Sequence, residues 1–247
     1  MEYNETLDLL LRSKSVRVFE DREITAEEKE TVFLAAMAAP TAGNQQLYTI
    51  LDITDPAIKE KLVDTCDHQP FIAQAKMVLI FCADVRRWVD LFEEAGAVPR
   101  RPGPGDLMLA CSDACIAAQN AVVAAQSMGI GACYIGDVME NREEQCELLG
   151  LPEYVFPAAM VVFGYPTQQQ AERPKPQRCK IDEIVMENRY QVRDGRALRA
   201  MTEKDWKHTD FENWATRFCD RKYNSDFSRE MSRSVGEYLK EYCEKNS

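Results

Sequence analysis

Residues 106–128 constrain the fold more than any other part of the chain. Over 23 positions they are rich in Ala, Leu, Met, Cys and Val, and Gly129 follows as a left-handed cap would. A helix that is apolar nearly all round would leave too much of itself wet on a monomer surface. It must run through a large core or along a boundary between subunits. The chain has the means to enclose it, with 247 residues of which 45% are hydrophobic.

The flanking sequence alternates between helix and strand signals. Thr25-Ala26-Glu27-Glu28 is a capping box, predicting a helix to about Ala39 that Pro40 stops. Residues 41–46 read as a loop and residues 48–53 as an extended segment; Asp55-Pro56 then opens a helix carrying Ile58, Leu62 and Val63 on one face. Residues 77–82 form a continuous apolar run, as expected of a strand covered on both faces. Residues 86–105 contain Pro99, Pro102, Gly103, Pro104 and Gly105 and read as an irregular surface excursion. Further strands are predicted at 132–135 and 160–163, with a helix between them at 141–149 opened by an Asn-Arg-Glu-Glu capping box.

Residues 165–178, with three prolines and four glutamines, read as an extended connector. The division expected is therefore a core over residues 1–178 and an extension over 179–247. In the extension Phe227, Met231, Val235, Tyr238 and Tyr242 recur as one face of a helix, which docks either on its own core or on a partner subunit.

A net charge of -11 argues against nucleic acid as a partner. The longest uninterrupted apolar runs, such as residues 77–83, fall far short of the roughly 20 residues that cross a bilayer. No membrane segment or secretory leader is expected, and a cytoplasmic location follows as the default. Nine cysteines, an odd number without CxxC spacing, read as reduced packing residues. Cys111 and Cys115 lie one helical turn apart, but with only His68 and His208 elsewhere no metal site is expected.

The usual catalytic motifs are missing. The sequence has no Gly-x-Ser-x-Gly elbow, no Walker loop and no Gly-x-Gly-x-x-Gly fingerprint, and acidic pairs such as Glu27-Glu28, Glu93-Glu94 and Glu143-Glu144 read as solvated surface. Arg12-Ser13-Lys14-Ser15-Val16-Arg17 is different in kind, because hydroxyls and cations alternating over six residues can wrap a phosphate and aim a guanidinium elsewhere on the same ligand. Basic residues at a helix end also complement the helix dipole without any ligand.

Five segments in order make a broader pattern: residues 14–19 (KSVRVF), 39–46 (APTAGNQQ), 129–136 (GIGACYIG), 149–152 (LGLP) and 164–166 (GYP). Together they resemble the signature of the nitroreductase family of flavoproteins, spread over residues 7–190. The resemblance implies an α+β fold, a central mostly antiparallel sheet flanked by helices, here with a C-terminal helical extension. It implies a homodimer binding FMN at the subunit boundary, NADPH or NADH as electron donor, and a nitroaromatic, quinone or similar small-molecule acceptor served by a ping-pong mechanism. The same resemblance leaves room for a flavin-dependent dehydrogenase or reductive dehalogenase acting on one metabolite, or for a flavin-binding protein without turnover.

Carried over by position, the resemblance puts Ser13, Lys14, Ser15 and Arg17 on the phosphate, ribityl chain and pyrimidine edge. Lys175 and Arg178 add charge from the connector. Pro40, Thr41, Ala42 and Asn44 reach the flavin from the other subunit, His68 and Gln69 contact the ring, and Tyr134, Ile135, Gly136 and Asp137 lie against it. Ser13, His68 and Asp137 depart from the family's common Arg or His, Asn and Gly. No protein acid or base is implied; Arg17 is the residue expected to stabilise charge on the reduced ring.

Overall fold

The computed structural model describes residues 4–243. Its elements are α1 (Glu5–Arg12), α2 (Ala26–Met37), β1 (Tyr48–Asp52), α3 (Pro56–Thr65), α4 (Phe71–Gln74), β2 (Met77–Asp84), α5 (Arg86–Glu94), α6 (Pro104–Ser127), β3 (Gly131–Ile135), α7 (Arg142–Leu149), β4 (Val155–Gly164), α8 (Gln168–Glu172), α9 (Ile181–Ile184), α10 (Gly195–Trp206), α11 (Phe211–Lys222) and α12 (Asp226–Tyr242). The strands form one antiparallel sheet in the order β1-β2-β4-β3, so the expected α+β class with a flanked antiparallel sheet is what forms.

The sheet is covered on both faces, and the strand period of two decides which side chain goes where. From β2, Met77, Leu79 and Phe81 join Val32 and Ala36 of α2 and the alanines of α6, while Val78, Ile80 and Cys82 face Leu62 of α3 and Ile72 of α4. α6 has the length and composition to cross a bilayer. Its alanines at 110, 114, 117, 118, 121 and 125 are nevertheless fully buried in the protein core. A stripe of methyl-sized side chains lets a long helix lie close against neighbouring elements.

Four local expectations change. Residues 86–94 are helical, because Trp88 and Val89 supply an apolar side and Arg86 pairs with Asp90 one turn on; the prolines interrupt only the segment after Glu94. β4 starts at Val155, earlier than the apolar run suggested, because Pro157 lies beside a bulge opposite Phe81 and Cys82 where the ladder is already interrupted. The connector contains the one-turn helix α8. Asn141 adopts φ 50° and makes no capping bond; its amide instead donates to the Thr65 carbonyl at 3.0 Å.

The chain forms two compact units, one holding the residues up to Arg173 and from Glu230 onward, the other Pro174–Arg229. In the second unit α10 meets α11 through Trp206 and Phe211, whose ring centres are 5.6 Å apart, and through the Arg199 guanidinium, 4.2 Å from the Phe211 ring centre; Trp214 and Phe218 stack within α11 at 5.3 Å. In the first unit the later part of α12 buries Tyr238 and Tyr242, which meet Phe156 and Tyr154 edge-on at 5.0 and 5.3 Å. The later residues of that stripe, Val235, Tyr238 and Tyr242, therefore cover the core of their own chain. Ser234 donates to the Met139 carbonyl at 2.7 Å and accepts from the Arg142 N–H at 3.0 Å, fixing the helix register.

Candidate active site

After α1 the chain turns extended and runs beside the sheet edge. Ser15 bridges Ala132 in parallel, the Val16 N–H donates to the Ala132 carbonyl at 2.9 Å, and Phe19 bridges Pro166. Two glycines make room for this approach. A Cβ on Gly131 would lie 2.7 Å from Val16 Cγ2, and one on Gly164 would lie 2.6 Å from the Phe19 ring. The spacing of these glycines in the sequence thus has a steric cause.

The α8 region closes over residues 13–17. Lys14 Nζ donates to the Ala171 carbonyl at 2.6 Å and to the Arg173 carbonyl, and Arg173 Nη2 donates to the Ser15 carbonyl at 2.7 Å. The Arg17 N–H donates to Gln170 Oε1 at 3.4 Å, and Gln126 Nε2 donates to Ser13 Oγ at 2.9 Å. Arg173, Gln170 and Gln126 went unnoticed in the sequence, since nothing in their spacing links them to residue 14. An ammonium carries three N–H bonds, and two of those on Lys14 are engaged here. Beside it, Arg12, Ser13, Lys14, Gln126, Gly131 and Ala171 border a cavity of about 280 Å³.

Arg17 points to the face of the sheet that carries α3 and α4. Its guanidinium carbon lies 5.8 Å from the Phe71 ring centre. Burial pushes the Cys133 thiol pKa up, and the Arg17 charge pulls it back. Cys133 and Ile135 of β3 share this face, whereas Tyr134 points the other way and its hydroxyl donates to Gln119 Oε1 at 3.3 Å. Gly136 and Asp137 follow at a short 3-10 turn, Asp137–Met139. On the same side Asp67 and His68 take consecutive left-handed conformations, φ 57° and 52°, and Gln69 Nε2 is held by the Cys66 carbonyl at 2.9 Å.

Residues 40–47 occupy the far edge of the sheet, leading into β1. Gly43, Asn44 and Gln46 all have left-handed φ values of 50° to 57°, a conformation costing non-glycine residues on the order of 1 kcal/mol or more each. Buried Asp113 of α6 holds the loop: its carboxylate accepts from the Thr41 hydroxyl, from the Ala42 N–H at 3.2 Å and from the Leu47 N–H at 3.2 Å. Arg87 donates to the Gln46 carbonyl and Trp88 Nε1 to the Gln45 carbonyl at 2.8 Å. The Thr41 hydroxyl also accepts from the Gln46 N–H at 2.8 Å, so that side chain faces into its own loop.

Two groups of expected site residues thus sit at opposite edges of one sheet. Residues 13–17 adjoin the outer side of β3, while Pro40, Thr41, Ala42 and Asn44 adjoin β1, and these two strands are themselves three spacings, about 14 Å, apart. Lys175 and Arg178 lie in the second unit, ahead of α9. Among the described residues no group of three or more His, Cys, Asp or Glu side chains is placed to hold a metal ion.

Beside the Asp137 turn, Glu140 is 6% exposed and its Oε1 has no hydrogen-bond partner. Burial first, and then the carboxylates of Asp137, Asp67 and Glu230, push its pKa up to about 7. A neutral Glu140 is compatible with the fold, so its folded pKa lies above its unfolded one. Stability is full below the ordinary value of 4.5 and declines as pH rises through about 7. Glu140→Gln is expected to match the parent below about pH 4 and to exceed it near pH 8, by at most about 3 kcal/mol. Thermal unfolding at both pH values reads this directly, and a difference that does not change with pH removes Glu140 as the titrating group.

The nitroreductase family model matches residues 11–165. An FMN reductase (NADPH) of Bacillus subtilis is 32% identical over 210 residues, covering 84% of this chain and 83% of the relative. An oxygen-insensitive NADPH nitroreductase of Salmonella typhimurium is 33% identical over 201 residues, covering 81% and 80%. The solved structure of the NfrA1 nitroreductase of B. subtilis superposes with a TM-score of 0.83 at 27% identity, covering 96% of this chain and 98% of that one.

Proposed function

Because the chain belongs to the nitroreductase family, we propose that it is an FMN-dependent NAD(P)H oxidoreductase that completes its site by pairing two copies and passes electrons to a nitroaromatic, quinone or similar small molecule. The relatives that are FMN reductases and NADPH nitroreductases support the oxidoreductase assignment. The observation that carries the two-chain site is the separation of residues 13–17 from residues 40–44 across a full sheet. One chain cannot close both groups on a single ring, whereas a second chain can present its own 40–44 loop. An apolar surface for such a pairing exists where α2 and α6 pack together: Leu34, Met37, Met108 and Leu109 are each more than half exposed.

The donor set suits FMN. The Ser13 hydroxyl and the cations of Arg12 and Lys14 border one cavity and Arg173 reaches the adjacent Ser15 carbonyl, which suits a phosphate and polyol. The Ser15 hydroxyl is a further donor, and Lys175 and Arg178 are further cations of this chain. Arg17 serves the pyrimidine edge, and Ile135, Gly136 and Asp137, with Tyr134 by its backbone, supply the wall against the ring. His68 and Gln69 serve the ring's polar edge, and Pro40, Thr41, Ala42 and Asn44 come from the second copy. The flavin, when bound, supplies the redox chemistry, taking a hydride from a nicotinamide and releasing electrons to the acceptor. The protein's own share is to grip the anionic tail, to hold the Arg17 guanidinium near the charge that grows on reduction, and to shield that pair from water.

A single face open to both donor and acceptor requires ping-pong kinetics. Double-reciprocal plots with NADPH and a nitroaromatic are expected to give parallel lines. Intersecting lines would remove the shared face, and failure of both NADPH and NADH to reduce the protein would remove the oxidoreductase reading.

A further inference from the structure

Building on the proposal that the 40–44 loop reaches a partner's flavin, we infer that Asp113 is a positioning residue that sets the shape of that loop and through it the flavin's surroundings. Asp113 lies in the middle of α6, is 3% exposed, and has no salt-bridge partner among the described residues. A buried carboxylate without a cation must be satisfied by hydrogen-bond donors. All three that it receives come from one loop: the Thr41 hydroxyl and the Ala42 N–H at its start, and the Leu47 N–H at its end.

The carboxylate thus draws residues 41 and 47 together, and the residues between them have to loop outward. That closure accounts for the left-handed Gly43, Asn44 and Gln46. The Thr41 hydroxyl extends the reach of Asp113, passing its proton side to the carboxylate and its lone pair to the Gln46 N–H. The loop is held from α6, itself a rigid core helix, so its tip is presented in one conformation before any partner arrives. Preorganisation of this kind acts on binding geometry as well as on stability.

Asparagine in place of Asp113 keeps the shape but turns one oxygen into an N–H₂ group, which opposes at least one of the three donors. Asp113→Asn is expected to weaken FMN binding about tenfold and to alter the visible-region circular dichroism of the bound flavin. Thr41→Val, which removes only the hydroxyl relay, should produce the same spectral change and serves if Asp113→Asn does not fold. The double variant should be no worse than Asp113→Asn by more than about threefold, because both act through one linkage. Asn44→Ala and Ala42→Trp test separately whether the loop tip meets the flavin. If these alter the flavin spectrum while Asp113→Asn and Thr41→Val leave affinity and spectrum at parent values, or lower only the melting temperature, Asp113 is structural and the inference fails. If none of the four changes the spectrum, the loop does not reach the flavin and both readings fall.

Discussion

Replacing Arg17 by alanine is expected to slow reduction of the bound flavin by NADPH about 100-fold, whereas Lys14→Ala should act mainly on how tightly FMN is held. The difference comes from what each cation is doing. Lys14 directs two of its donors at the Ala171 and Arg173 carbonyls, closing α8 over residues 13–17, so its loss loosens the grip on the anionic tail. Arg17 lies on the face shared by Phe71, Cys133 and Ile135, where its charge already acts on the Cys133 thiol. Arg17 is exposed in the single chain, and the proposed flavin and second copy are what would shut water out around it. Fixed donors in a shielded site stabilise developing charge far more than they would in solution, and removal of one costs about 2.7 to 4 kcal/mol in comparable oxyanion sites. Anaerobic stopped-flow reduction measures the rate, and flavin titration the affinity. Equal, small effects of both substitutions would take Arg17 out of the reaction.

Tyr238→Ala is expected to lower stability by about 3 to 5 kcal/mol. The ring is 1% exposed, packs edge-on against Phe156, and lies among Leu47, Ala83, Val85 and Leu107, so truncation opens a cavity that rigid neighbours cannot refill. In a domain whose total stability is of the order of 5 to 15 kcal/mol, that is a melting temperature lower by about 10 °C. Tyr223→Ala provides the comparison, because Tyr223 is 75% exposed and its loss should be close to neutral. Similar melting temperatures for the two variants would mean that α12 does not dock as described.

The elements that sequence reading located are those whose signals are local. The Thr25–Glu28 capping box, the Asp55-Pro56 start and the left-handed Gly129 each act through a few neighbouring backbone groups, and each appears where expected. The unbroken apolar run of β2 likewise had only one physical outcome, burial on both faces. The features that escaped notice depend on contacts between distant segments. The first half of β4, ahead of the expected 160–163 strand, includes Pro157, which is accommodated beside the bulge opposite Phe81 and Cys82. The α5 helix was hidden by the prolines beyond it, and α10 meets α11 through Trp206, Arg199 and Phe211, whose contacts no periodicity announces.

The same division applies to the site. The alternating hydroxyls and cations of residues 12–17 are contiguous and could be read directly, but Arg173, Gln170 and Asp113 act over separations of 66 to 158 residues. Asp113 in particular lies inside the 106–128 segment that reads as apolar nearly all round, and nothing local singles it out. Only the folded chain shows that its carboxylate gathers the ends of the 41–47 loop.

The pairing of two chains around each flavin is most directly tested by sedimentation of FMN-loaded protein, followed at a wavelength where only the flavin absorbs. The account predicts that the colour travels with a species of twice the 28.2 kDa chain mass, carrying one FMN per chain. Flavin bound in full to a species of single-chain mass would contradict it.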